Sequence, residues 1–168
     1  MRVIACDPHV DADVLRTLGA EPVSLGDLLR RSDFVSLHCP LTPATRHLLG
    51  AEAFAAMKPG ALLVNTSRGG VLDETALVAA LRRGTIAGAA LDVLGREPPP
   101  ADHPLLALDN VLVSHHVAAF AAGFEERFWQ ASIGVITALP AETPAATWSK
   151  ADKEWTNLTL DFRGGLER

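Results

Sequence analysis

The sequence predicts an α/β protein built as a doubly wound parallel sheet. Strand-like apolar segments alternate with helical segments along the chain, which is the pattern of successive βα units. Several predicted strands, such as ALLVN (61–65) and AGAALDV (87–93), are apolar almost throughout rather than at every second residue. Helices that cover both faces of a parallel sheet favour such runs, and right-handed crossovers would connect the strands.

The first half of the chain contains three predicted strands and three predicted helices. Gly19 ends the first helix, and Pro59-Gly60 ends the third. Ser24 and Asp27 form a capping-box pattern at the start of the second helix. The predicted strands span 2–6, 22–24 and 33–39, and the predicted helices span 11–18, 25–31 and 45–57.

The second half continues the alternation and then changes character. Helix 73–84 has the clearest pattern, with Asp73 as candidate N-cap and Gly84 just past its end. The remaining strands are predicted over 61–65, 87–93 and 110–115, and a last helix over 121–139. From Pro140 onward there is no clear periodicity, and we expect either a poorly ordered tail or a segment that docks through Trp148 and Trp155 on something outside the core. We expect one domain over 1–139 and an irregular tail over 140–168.

Composition excludes several classes of partner. The 168 residues are 48% apolar and 21% charged, with a formal net charge of −5. No block of Lys and Arg accumulates, which argues against nucleic-acid binding. No apolar run approaches the roughly 18 residues that cross a membrane, and the first residues lack the apolar core of a signal peptide. We therefore expect a cytoplasmic protein without membrane contacts.

The cysteines and histidines do not indicate a disulfide scaffold or a metal site. Cys6 and Cys39 are the only cysteines, and free thiols in a reducing compartment are the simplest interpretation. The histidines at 9, 38, 47 and 103 show no metal-ligand spacing with these cysteines. The sequence therefore predicts no metal.

Three segments place polar side chains directly after predicted strands. They are LLVNTSRGG, AALDVLGREPPP and NVLVSHHVAAF, which carry Arg68, Glu97 and His116. Ligands of open parallel sheets bind outside the carboxyl ends of the strands, so we expect these side chains to meet in one crevice. A guanidinium pairs with a carboxylate, and an imidazole next to a carboxylate moves protons near neutral pH. The set predicts proton transfer to a small anionic substrate.

Two aspartates each have two open interpretations. Asp7 follows the first predicted strand in ACDPH, where it would either accept hydrogen bonds from a dinucleotide ribose or only form an Asp-Pro turn. In the first case its charge would repel a 2′-phosphate and favour NAD over NADP. Asp92 lies within the apolar strand ALDV. A buried carboxylate needs a partner, which is either a ligand or the backbone of the following loop.

The run from Ser32 to Phe120 resembles the nucleotide-binding domain of the D-isomer-specific 2-hydroxyacid dehydrogenases. This family includes 3-phosphoglycerate, glyoxylate/hydroxypyruvate and D-lactate dehydrogenases. The matching segments are SDFVSLHCPLTPATRHLL, MKPGALLVNTSRGGVLDETALVAAL, AGAALDV, REP and HPLLALDNVLVSHHVA. The likeness extends more loosely from Met1 to about residue 139. It implies that 1–139 is a Rossmann-type dinucleotide-binding domain.

The resemblance also implies a reaction and a role for each site residue. Arg68 would bind the substrate carboxylate, His116 would be the general acid/base at the C2 oxygen, and Glu97 would orient His116. The reaction would be reversible hydride transfer between NAD and a small 2-hydroxy or 2-oxo acid. The residues implied to line the NAD site are Asp7, Cys39, Pro40, Thr45, Thr66, Ser67, Arg68, Asp92, His116, Val117, Ala118 and Ala119.

The sequence departs from the family at its start. The family's glycine-rich phosphate loop lies about 20 residues before the ribose acid, yet Asp7 is the seventh residue and no G-x-G-x-x-G motif occurs. His115 also replaces the proline that usually precedes the family's histidine. We therefore expect an incomplete, truncated domain that lacks the first strand and the glycine-rich loop and that leaves an open sheet edge.

Two functions of different classes follow from these observations. The first is an NAD-dependent 2-hydroxyacid oxidoreductase. The second is a non-catalytic binding or assembly module derived from such a dehydrogenase, in which the open edge pairs with a second copy of the chain or with a complementing chain. Binding of NADH, and its oxidation with glyoxylate or hydroxypyruvate, would distinguish them.

Overall fold

The computed structural model describes residues 1–120 and the single positions 123, 126 and 130. The chain divides into two units, Met1–Ala118 and Ala119–Arg168. Apart from those three positions, the helix predicted over 121–139 lies outside the described residues. The described residues also exclude the tail predicted over 140–168, with its two tryptophans, and the domain boundary predicted at 139. These expectations stay predictions.

Six strands alternate with four α-helices in the first unit, and the predicted α/β class is confirmed. The strands are β1 (Val3–Ala5), β2 (Ala20–Pro22), β3 (Phe34–Leu37), β4 (Leu62–Asn65), β5 (Gly88–Leu91) and β6 (Val111–Val113). The helices are α1 (Ala12–Thr17), α2 (Leu25–Arg31), α3 (Ala51–Ala56) and α4 (Glu74–Arg82), with 3₁₀ turns at Gly69–Val71 and Pro104–Ala107.

All strand pairings among the described residues are parallel, but they fall into two sheets. One sheet contains β1 and β2, and the other has the order β3-β4-β5-β6. Asn65 pairs with Leu91, and Leu91 with Val113, so the carboxyl ends of β4, β5 and β6 lie side by side. In a dinucleotide-binding fold with the strand order 3-2-1-4-5-6, the strand that precedes the glycine-rich loop lies between the strands that correspond to β1 and β3. The division between the two sheets falls at that place.

The predicted helix caps are present. The side chains of Ser24 and Asp73 accept the backbone N–H groups of Asp27 and Ala76, and the Ser24 hydroxyl also donates to the Asp27 carboxylate. Gly84 follows α4 with a φ of 66°, a conformation that glycine adopts without steric cost. Ser24 is the N-cap of α2 and therefore does not belong to a strand. The strand predicted over 22–24 is found two residues earlier, as β2.

The helix predicted over 45–57 is wrong in its first half, since α3 begins only at Ala51. Local side-chain bonds compete with the helix there. The Thr45 hydroxyl oxygen accepts the Thr42 N–H at 2.7 Å and donates to the Pro40 carbonyl at 2.6 Å. His47 then takes a φ of 52°, which an α-helix does not accommodate.

The core lies between the four-stranded sheet and α2, α3 and α4, where α3 contacts both other helices. Its largest buried side chains are Phe54, Leu49, Leu63, Leu77, Ile86, Leu91, Leu105, Val71 and Val93. These fix the strands whose carboxyl ends carry the site. Within residues 1–120 and the three further positions, no helix has both the length and the apolar character needed to cross a membrane.

Candidate active site

Loops that follow β3, β4, β5 and β6 form one cleft. The cleft has a volume of about 220 Å³, which is smaller than the roughly 300–1,000 Å³ of sites for drug-sized ligands. It is lined by Leu41, Arg68, Gly69, Gly70, Leu94, Gly95, Glu97 and His116. The structure thus brings Arg68, Glu97 and His116 to a common surface.

Glu97 and His116 form a direct pair. The Nδ1 atom of His116 lies 2.8 Å from the Glu97 Oε2 atom, and Glu97 Oε1 accepts the Leu94 N–H at 2.9 Å. The hydrogen bond with His116, followed by that from Leu94, holds the pKa of Glu97 below its usual value. An ionised Glu97 accepts hydrogen bonds only, so the His116 Nδ1 carries a hydrogen. The Nε2 atom is then the ring nitrogen that is not bonded to Glu97.

A buried amide organises the loop that carries Arg68. Asn65 ends β4, is completely buried, and accepts both the N–H and the hydroxyl of Ser67 through its Oδ1 atom. Its Nδ2 atom donates to the Arg68 carbonyl at 3.1 Å. Asn65 was not predicted from the sequence, although a polar residue at the end of an apolar strand could have indicated a structural role.

The loops that carry Arg68 and Glu97 are in backbone contact. A Cβ atom added to Gly69 would lie 2.0 Å from the Leu94 carbonyl carbon and 2.3 Å from the Gly95 nitrogen. Only glycine therefore allows this approach. The close packing places the two charged side chains on one cleft.

Asp92 organises the turn that carries His116. It is 6% exposed, and its carboxylate accepts the Ser114 hydroxyl at 2.5 Å and the N–H groups of Val117 and Ala118 at 2.9 Å each. Burial acts to raise the pKa of Asp92, but the bonds from Ser114, Ala118 and Val117 outweigh it and lower the pKa. The sequence left open whether the partner of Asp92 is a ligand or the backbone of the following loop. The structure shows that backbone N–H groups of this loop are partners. Ser114 was not singled out from sequence.

His116 itself takes a φ of 58°, which is uncommon for a residue other than glycine. Its N–H donates to the Asp92 carbonyl at 2.9 Å. This bond and the two bonds that the Asp92 carboxylate accepts from the N–H groups of Val117 and Ala118 together hold the turn. The tertiary contacts of one buried acid thus stabilise a strained backbone position next to the cleft.

The other predicted site residues lie outside the lining of this cleft. Asp7 follows β1, is exposed, and accepts the His9 N–H through one oxygen. Cys39 follows β3, and burial, with a smaller effect of the nearby Asp7 charge, raises the pKa of its thiol. The Thr45 hydroxyl donates to Pro40 within its own turn.

The remaining predicted residues lie on the loops after β4 and β6. Thr66 is exposed, and the Ser67 hydroxyl donates to Asn65. Ala118 joins the Asp92 network, while Ala119 belongs to the second unit. Cys6 and Cys39 are both free thiols. The part of the chain that the structure describes holds no group of three or more His, Cys, Asp or Glu arranged for a metal ion.

Replacement of His116 by asparagine should raise the pKa of Glu97 towards its ordinary value of 4.5. Asparagine tolerates the positive φ of this position but removes the imidazole that stabilises the carboxylate. Side-chain ¹³C NMR titration measures the change. Asp27 serves as an internal reference, since Ser24 and Arg30 lower its pKa within α2.

The same shift has a defined effect on stability. A carboxyl group with a lowered folded-state pKa contributes stability above its unfolded pKa and loses it as the pH falls through the folded pKa. The His116→Asn variant should therefore lose less stability than the wild type on acidification below about pH 5. Urea unfolding at several pH values checks this, and identical pH slopes would contradict the pairing.

Comparisons with known proteins agree with the fold and the motifs. A family model described as "D-isomer specific 2-hydroxyacid dehydrogenase, NAD binding domain" matches residues 1–118. D-3-phosphoglycerate dehydrogenase from Methanocaldococcus jannaschii is 48% identical over 120 residues, and glyoxylate reductase from Korarchaeum cryptofilum is 51% identical over 119. The crystal structure of D-mandelate dehydrogenase from Rhodotorula graminis superposes with a TM-score of 0.71 at 38% identity.

The likeness covers most of this chain but a minor part of each relative. The two curated relatives match over 71% of this chain, which corresponds to 23% and 36% of their own lengths. The mandelate dehydrogenase match covers 81% of this chain and 40% of the other. The family expected from the sequence is confirmed, and its model describes an NAD-binding domain. The chain belongs to the D-isomer specific 2-hydroxyacid dehydrogenases, within their NAD-binding domain family.

Proposed function

We propose that this chain supplies the acid–base group and the anion-binding arginine of an NAD-dependent oxidoreductase that interconverts small 2-hydroxy and 2-oxo acids. The observation that carries the proposal is the His116–Glu97 pair, 2.8 Å apart, in a cleft that also exposes Arg68. An oriented imidazole and a guanidinium are the groups that an alcohol-to-ketone conversion of an anionic substrate requires.

Each side chain has a distinct task in this proposal. The Arg68 guanidinium binds the substrate carboxylate. The His116 Nε2 atom takes the proton of the C2 hydroxyl in the oxidative direction and returns it to the C2 oxygen in the reductive direction. Glu97 keeps the hydrogen on Nδ1 and stabilises the ring when it becomes charged. Bound NAD supplies the hydride acceptor or donor.

The residues present fit the two nucleoside ends of NAD. Asp7 offers an exposed carboxylate after β1 for the adenosine ribose. The turn after β6, held by Asp92, adjoins His116 on the proposed nicotinamide side. The Asp92 oxygens already accept three protein donors, so we assign Asp92 chiefly to holding this turn.

Arg68→Ala should lower kcat/KM for NADH-dependent reduction of glyoxylate by about 100-fold, since a charge-assisted bond contributes about 1.5–3 kcal/mol. The kcat/KM of Arg68→Lys should lie between those of Arg68→Ala and the wild type, because lysine keeps the charge but lacks the planar guanidinium fork. Arg96→Ala is the matched control, since Arg96 is exposed on the Glu97 loop. Steady-state kinetics of the full chain measure this, and equal losses in Arg68→Ala and Arg96→Ala would contradict the role.

A second candidate function rests on the divided sheet. Among the residues that the structure describes, β1 and β3 belong to different sheets and each pairs with one neighbouring strand only. Both strands also carry an exposed apolar side chain, since Val3 is 46% and Phe34 is 65% exposed. An unpaired strand edge is a template for pairing with another strand. In this candidate the chain is a non-catalytic assembly module that pairs with a second copy or with a complementing chain.

Cofactor binding separates the two candidates. The first predicts that the purified chain changes NADH fluorescence and oxidises NADH with glyoxylate or hydroxypyruvate. A folded chain that leaves NADH fluorescence unchanged at millimolar cofactor and forms a stable dimer in light scattering would support the second candidate and contradict the first.

A further inference from the structure

The segment that carries Glu97 is anchored by a side chain outside the cleft. Glu74 is the first residue of α4, and its Oε1 atom accepts the Gly95 N–H at 2.7 Å. Its Oε2 atom lies 3.5 Å from the His103 Nε2 atom. One carboxylate therefore contacts both ends of the segment 95–103, with Glu97 between them.

The side chains of Glu74 and His103 are partly shielded from water, whereas Gly95 is exposed. The side chain of His103 is 12% exposed, and that of Glu74 is 26% exposed. The Nδ1 atom of His103 accepts the Leu105 N–H at 3.4 Å, and its Nε2 atom faces Glu74. Shielding strengthens such contacts, and bonds to an ionised acceptor are stronger than bonds between neutral groups.

Two consecutive backbone amides connect Glu74 to the proposed acid–base pair. The Leu94 N–H donates to Glu97 and the Gly95 N–H donates to Glu74. The orientation of the turn that presents Glu97 thus depends on the bond that Gly95 makes. A turn released at Gly95 would carry the Glu97 carboxylate away from His116.

We propose that Glu74 is a positioning residue, which holds the segment 95–103 so that Glu97 faces His116. Its importance for catalysis rests on the proposed function, whereas its effect on Glu97 does not. Glu74 is not among the residues that line the cleft, and it touches no reacting atom in this assignment. It acts through the position of Glu97 alone.

The test compares three variants of the full chain, Glu74→Ala, Glu74→Asp and Glu74→Gln, by NMR without cofactor or substrate. Alanine removes the acceptor, aspartate keeps the charge but shortens the side chain, and glutamine keeps an acceptor oxygen. Glu52→Ala is the matched control, since Glu52 also stands in the first turn of a helix. It corrects for the lost interaction of a carboxylate with a helix N-terminus.

Glu74→Ala and Glu74→Asp should speed amide hydrogen exchange at Gly95 by about tenfold or more and raise the pKa of Glu97. Glu74→Gln should change the exchange rate by less than about threefold. If Glu74→Ala does not fold, Glu74→Asp still tests the proposal. An unchanged Glu97 titration and a Gly95 exchange rate equal to that of Glu52→Ala would overturn it.

Kinetics keep this proposal separate from the proposed function. Where the wild type turns over glyoxylate, Glu74→Ala should lower kcat more than it raises KM, because Arg68 stays in place. If the wild type shows no turnover while the Glu97 pKa rises in Glu74→Ala, the positioning role stands and the proposed function fails.

Discussion

Gly69→Ala should destabilise the protein by about 3 kcal/mol or more, beyond the usual cost of an overpacked core. The new Cβ would lie 2.0, 2.2 and 2.3 Å from the carbonyl carbon and oxygen of Leu94 and the nitrogen of Gly95. These are backbone atoms, and the adjacent amides are bound by Glu97 and Glu74. They cannot move aside as a flexible side chain would, so the two loops must separate.

Gly60→Ala is the matched control for this change. Gly60 has no atom within 4 Å of an added Cβ, so the free energy of unfolding should change by less than about 0.5 kcal/mol. Urea denaturation of both variants gives the two values. Similar stability losses in Gly69→Ala and Gly60→Ala would contradict the close approach of the loops. Separation of the loops in Gly69→Ala should also move Arg68 away from Glu97 and weaken binding of a 2-oxo acid.

Asp92→Asn should have a comparable effect, a loss of about 2–4 kcal/mol in the free energy of unfolding. The Asp92 carboxylate accepts one hydroxyl and two backbone N–H groups. An amide has one acceptor oxygen, and its NH₂ group would face a donor, so at least one partly buried donor would lose its acceptor. The turn that holds His116 at a positive φ would then relax.

The control for Asp92→Asn is Asp109→Asn, because Asp109 is exposed. This change should leave the free energy of unfolding within about 0.5 kcal/mol of the wild type. The ring resonances of His116 should shift in Asp92→Asn and stay in place in Asp109→Asn. Equal unfolding midpoints for the two variants would show that the Asp92 network does not stabilise the turn.

Local signals in the sequence predicted much of the fold because they act over a few residues. The side chains of Ser24 and Asp73 each accept a backbone N–H group three residues away, and Gly84 follows the end of α4 with a positive φ. The same locality explains the error before α3. The Thr45 side chain bonds to the backbone of its own turn. These bonds compete with helix formation, and the spacing of apolar residues does not reveal them.

Residues that organise the site across the chain were not predictable in the same way. Glu74 bonds to a residue 21 positions away, and Ser114 to one 22 positions away. Both are ordinary polar residues in the sequence, at a helix start and a strand end. Their importance appears only when β4, β5 and β6 bring their loops together.

The sequence by itself determined the α/β class, the parallel strands, the family and the choice of Arg68, Glu97 and His116 as candidates, because apolar patterning and ordered motifs are written along the chain. Tertiary structure alone decided how these groups are held. The 2.8 Å pair, the backbone contact at Gly69 and the Asp92 turn depend on strand register. Bonds between distant residues exist only after the core has packed and the strand ends are fixed side by side.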